Sequence, residues 1–157
     1  MGFLIWLEST GYADWVASSI YGFPIMITLH AIGLASIVGI VFALDLRLLG
    51  LYRTIPCASL TKFLVIAWCG IVLNIFSGLS IFTTQASYYV TSVPFLLKIA
   101  FIIIGCVNLA YTQKILKQNS ANWDAAGAVP MTGLVLASSS LLFWTLAVIT
   151  GRLIAYL

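Results

Sequence analysis

Four long apolar runs, over about residues 23–49, 60–83, 94–116 and 130–156, leave this chain few ways to fold. Each meets the roughly 20 mostly apolar residues that a helix needs to cross hydrocarbon. Three open on a proline, Pro24, Pro94 and Pro130, in the first turn where a missing N–H costs little. In hydrocarbon each backbone N–H and C=O must be bonded within its own segment, and no strand-length alternation points to a barrel, so the runs read as helices. Composition agrees: 62% of the 157 residues are hydrophobic and 7% charged, against roughly 25% charged in soluble domains. A chain this poor in charge has too little polar surface to disperse in water. The expected fold is all-α: one integral membrane domain over residues 1–157, built as a four-transmembrane-helix bundle.

Residues 1–20 differ. They mix Trp6, Tyr12 and Trp15 with Glu8, Asp14 and small polar residues, the composition of a segment lying among headgroups. They read as one or two short interfacial helices. Without a basic n-region, and with two early acids, they do not read as a signal peptide. The longest connection, about 117–129, reads as a loop anchored at the interface by Trp123. Arg47, Arg53, Lys62, Lys114 and Lys117 all fall on one side of the predicted spans, which the positive-inside rule assigns to the cytoplasm. The expectation is a multi-pass protein with both termini outside. The net charge is +3 without a basic run, so no nucleic-acid partner is expected. Cys57, Cys69 and Cys106 form no CxxC pair and read as packing residues.

The informative residues are those that a lipid-facing helix should lack. His30 is the only histidine, about two turns into the first helix by the rise per residue. Gly33, Ser36 and Gly39 follow it as a small-residue strip for close packing. The second helix aligns Ala67, Gly70, Asn74 and Ser77. The third gathers Lys98, Gly105, Asn108 and Thr112 within roughly 80° of arc. The fourth repeats Met131, Ser138, Thr145 and Arg152 at sevens. Polar groups at membrane depth avoid lipid, so these faces are expected to turn inward. Asp45 and Lys62 fall at the same depth and read as a structural ion pair. Arg47, two residues from Asp45 and nearly opposite on the helix, is expected to snorkel to headgroups.

Each of these residues has a plainer reading: His30 bonding a neighbour, Lys98 and Arg152 anchoring at headgroups, Asn74 and Asn108 as interhelical glue. Together, one imidazole and two cations at one end of a bundle fit a cofactor or ligand pocket in the outer leaflet. Haem b is its sharpest form. His30 would be the metal ligand, Lys98 and Arg152 would meet the propionates, glycines would make room for the ring, and Asn74 and Asn108 would line the site. With one histidine, a bis-histidine haem within one chain is excluded. No zinc spacing, phosphate loop, GxSxG elbow or level pair of carboxylates is present.

The stretches Leu29–Leu51 and Trp144–Leu157 resemble a family of small bacterial four-helix membrane proteins defined only as a domain of unknown function. The residues that carry the resemblance are His30, Asp45, Arg47, Lys98, Gly151 and Arg152. It implies the same fold and a place in the bacterial inner membrane, and no activity. The leading expectation is a non-catalytic ligand-binding or electron-transfer accessory protein. The alternatives are a small oligomeric channel or transporter for an anion or protons, and a structural subunit of a larger membrane complex. In each case the chain is expected to act as a homo-oligomer or beside a partner.

Overall fold

The computed structural model describes residues 2–156. Seven helices follow in order: α1 (Gly2–Glu8), α2 (Gly11–Ser18), α3 (Gly22–Leu48), α4 (Cys57–Thr84), α5 (Ala86–Tyr89), α6 (Val93–Ala126) and α7 (Met131–Leu153), with no strand among the described residues. Helices α3, α4, α6 and α7 are each long and apolar enough to cross a membrane. The molecule is an integral membrane four-helix bundle. Neighbours in sequence pack most closely, α3 on α4 and α6 on α7, and the α3–α7 and α4–α6 contacts close the ring.

The interior is small-residue packing around a few large side chains. Val41, Leu44, Leu64, Leu109, Leu116 and Trp144 form its apolar centre. On α3 and α4 the backbones nearly touch. A Cβ on Gly33 would lie 2.9 Å from the Gly70 carbonyl oxygen, and one on Gly70 would lie 3.0 Å from that of Gly33. Lipid tails are as apolar as leucine, so burying leucine against leucine gains little there, and close backbone approach takes over as the driving force. Between α6 and α7, Gly105 admits the indole of Trp144, whose Cε2 would sit 3.0 Å from an added Cβ.

The expected inward faces hold on α4, where Ala67, Gly70 and Ser77 are buried, and on α6, where Gly105 and Thr112 are buried. On α7 the expectation is wrong. Met131, Ser138, Thr145 and Arg152 are all exposed, and the buried face carries Gly133, Ala137, Ser140, Trp144, Ala147 and Thr150. Both stripes repeat at sevens. The one richer in small side chains wins because it lets α7 approach its neighbours. Gly39 likewise faces outward, with nothing within 4 Å of an added Cβ.

A second correction concerns α6. It runs 34 residues, about 50 Å, and absorbs nearly all of the stretch expected to be a loop. Residues 117–126 contain no glycine or proline to stop it. It ends where Gly127 adopts φ +63, the left-handed C-cap conformation. Trp123 therefore sits on a helix, packed on Gly133 of α7 and against the core.

The N-terminal segment forms two short helices, as expected. Thr10 caps α2 by accepting from the Ala13 N–H at 3.2 Å. Both helices are tied to the bundle. Tyr12 Oη and Ser80 Oγ of α4 are 2.7 Å apart, and a Glu8 oxygen accepts the Ser87 N–H at 2.6 Å. Ala13 and Val16 are buried against the bundle, while Phe3, Trp6, Tyr12 and Trp15 are exposed on the outer surface.

Candidate functional site

His30 lies on α3, half-buried, facing α4. Its surroundings follow from the small-residue face of α4. Gly78 leaves space for the ring edge: an added Cβ would lie 3.2 Å from His30 Cε1. Ser77, one residue earlier and fully buried, stands 3.1 Å from Nδ1 through its Oγ. Asn74, one turn before, donates its Nδ2 to the His30 carbonyl oxygen at 2.8 Å. The side chain is thus held from both its backbone and its ring.

The hydrogen bonds of Ser77 favour one tautomer of the ring. The Ser77 hydroxyl has one proton, and its nearest backbone acceptor is the Leu73 carbonyl at 2.8 Å. This is the usual bond of a helical serine back to the preceding turn. Ser77 Oγ is then the acceptor for the ring, and Nδ1–H is the donor. In that tautomer Nε2 keeps its lone pair, and it has no partner among the described residues. An imidazole held by one N–H, with the other nitrogen open, is the arrangement of a metal ligand or of a hydrogen-bond acceptor for a guest.

Lys98, on the first turns of α6, lies at the same end of the bundle as His30. Its stem crosses α7 at Gly151, where an added Cβ would lie 3.3 Å from Cδ and Cε and 3.6 Å from Nζ. The Gly-Arg pair near the end of the sequence therefore contributes through its glycine, which makes room for the lysine. Arg152 itself is exposed, its guanidinium carbon 5.8 Å from the centre of the Tyr156 ring, a surface cation–π contact.

Asn108 is not part of this cluster. It joins α6 to α7, donating Nδ2 to Ser139 Oγ at 2.8 Å and to the Leu136 carbonyl at 3.3 Å, and accepting from Thr112 at 3.3 Å. Of the five residues expected to line the pocket, the structure puts Asn74 in contact with His30, places Lys98 at the same end of the bundle against Gly151, and sets Asn108 and Arg152 apart. Ser77 and Gly78, which hold the ring, went unnoticed as site residues. The alignment of Ser77 with Ala67, Gly70 and Asn74 carries the signal for Ser77; Gly78 has none in the sequence.

The residues test poorly against haem b inside one chain. His30 offers a free Nε2, but the glycines that would clear a slot are filled: Gly33 and Gly70 by each other's backbones, Gly78 by the imidazole, Gly105 by Trp144 and Gly151 by Lys98. A flat macrocycle does not fit between these helices.

At the other end, where the basic residues cluster, the expected Asp45–Lys62 pair does not form. Lys62 is exposed. Asp45 is 1% exposed and turns toward Ser140 of α7, with Oδ2 lacking a hydrogen-bond partner. Arg47 does not reach for headgroups either. It is 8% exposed, donates Nε to the Ile55 carbonyl and pairs through Nη2 with Asp124 at 3.3 Å. Asp124 also accepts the Cys57 N–H at 2.9 Å and the Ala58 N–H at 3.2 Å. The carboxylate on the unexpected extension of α6 thus caps α4 and neutralises α3. Three helices meet on one side chain. No family model, curated protein or solved structure matches this chain.

Proposed function

We propose that this is a bacterial inner-membrane protein, with both termini outside, that binds a small membrane-soluble ligand at His30 in the outer leaflet. The reading rests on one observation: Ser77 ties down Nδ1 of the ring, leaving Nε2 without a partner at membrane depth. Nature seldom leaves an ionisable group there without a use. Lys98 complements it. The imidazole accepts a hydrogen bond or coordinates a metal, and the ammonium donates to an oxygen or balances a negative charge. Helix α2, bonded to α4 one turn beyond Ser77, covers this end of the α3–α4 pair. A guest therefore enters sideways from the lipid, which favours a lipophilic molecule with a polar head. No group of three or more metal-ligating side chains gathers among the described residues, and the role proposed is binding or accessory.

The test is direct. Detergent-purified protein is analysed by visible absorption, metal analysis and mass spectrometry of solvent-extracted small molecules, beside His30→Ala and Ser77→Ala. A molecule or metal that co-purifies with the native chain, is lost in His30→Ala and is reduced in Ser77→Ala is the expected result. A Soret band would identify haem b and require that it sit outside the single-chain interior. Identical extracts from native protein and a folded His30→Ala variant refute the reading.

A further inference from the structure

The basic end of the bundle holds a feature that the His30 site does not use. A cavity of about 240 Å³ opens where α3 ends and the α6–α7 connection passes. Arg47 and Arg53 reach it from one side, beside Gly50. Its remaining walls are largely apolar and include Leu48, Val129 and Leu134.

The two guanidinia are held differently. Arg47 is built into the fold, with Nε on the Ile55 carbonyl and Nη2 on Asp124. A guanidinium carries five N–H donors, and Nη1 of Arg47 has no acceptor among the described residues, yet it is not sealed away. Arg53 lies folded over Gly50, donating Nε to the Gly50 carbonyl at 3.2 Å. Its Nη donors have no acceptor among the described residues. Asp124 offers little competition, since its two oxygens already accept from Cys57, Ala58 and Arg47. Two positive charges thus face one committed negative charge, leaving the cavity short of an anion. Planar forks of this kind match phosphate oxygens, and the leucine–valine wall suits a carbon chain.

We propose that this cavity binds an anionic phosphate ester, with Arg47 and Arg53 on the phosphate oxygens and the apolar wall against the attached chain. Either a phospholipid headgroup or a soluble phosphate supplies that chemistry. The cavity lies at the end of the spans, where headgroups sit, and its mixed lining suits both. The proposal is independent of the His30 reading, because the two sites occupy opposite ends of the bundle.

The test is native mass spectrometry of the full-length protein in detergent with equal amounts of phosphatidylglycerol and phosphatidylcholine, with a parallel phosphorus NMR titration using inorganic phosphate alone. The native chain is expected to retain phosphatidylglycerol about tenfold over phosphatidylcholine. Arg53→Gln should cut that preference about fivefold. Ala128→Phe, from an exposed position on the cavity lining, should block the site without removing charge. Lys62→Gln removes the same charge from an exposed position outside the cavity lining and should change nothing. Phosphate that broadens in the titration and displaces the lipid identifies a soluble ligand; lipid retained against millimolar phosphate identifies the headgroup. Equal retention of both lipids with no phosphate binding overturns the proposal. So does a Lys62→Gln effect as large as that of Arg53→Gln, which would mean mere net charge.

Discussion

At the scale of single residues, Asp124 holds more of the basic end together than any other side chain. It pairs with the nearly buried Arg47 and accepts two N–H groups at the start of α4. Removing it leaves a buried guanidinium short of its counter-charge and strips a helix cap. Asp124→Ala is expected to destabilise the folded protein by about 3 kcal/mol, read as earlier unfolding in a detergent-to-SDS titration followed by circular dichroism. Lys62→Ala, by contrast, should move the midpoint by less than about 0.5 kcal/mol, because surface charges without a fixed partner contribute little. Equal effects would restore the Asp45–Lys62 pair that the sequence led us to expect. Shared depth along the sequence does not reveal which neighbour a helix face meets. Asp45 meets α7.

Helices in this molecule are chosen by closeness rather than by greasiness. The same small-residue strip on α3 offers Gly33, Ser36 and Gly39, yet only the first two pack on α4, with Gly33 against the Gly70 carbonyl and Ser36 Cβ 3.1 Å from where a Gly70 Cβ would stand. Gly33→Ala should push α3 from α4 and cost about 1–3 kcal/mol, while Gly39→Ala, with open space around it, should be neutral or stabilise by up to about 1 kcal/mol. Thermal unfolding of the two variants in the same detergent checks both signs together. A matching loss in Gly39→Ala would mean that its face is covered. The α7 stripe teaches the same lesson. A period of seven was legible, but two stripes shared it, and only contact with α3 and α6 selects between them.

For the molecule as a whole, the crowding of Arg47, Arg53, Lys62, Lys114 and Lys117 at one end predicts its orientation. Thr54 and Thr91 are both exposed, in connections at opposite ends of the bundle. A cysteine at Thr91 should react with a membrane-impermeant maleimide in intact cells, and one at Thr54 only after permeabilisation, with the native cysteines replaced in both. The reverse pattern would turn the protein over and move His30 to the cytoplasmic leaflet. The sequence by itself determined that four helices cross a bilayer, where they begin, and that His30 lies near one end, because hydrocarbon admits few backbone solutions and punishes stray polarity. Only the tertiary structure decided that Ser77 holds the ring, that Lys98 rests on Gly151, and that Asp124 answers Arg47. Those choices depend on helix rotation and on how far α6 runs, and small residues allow several rotations until the neighbouring helices are in place.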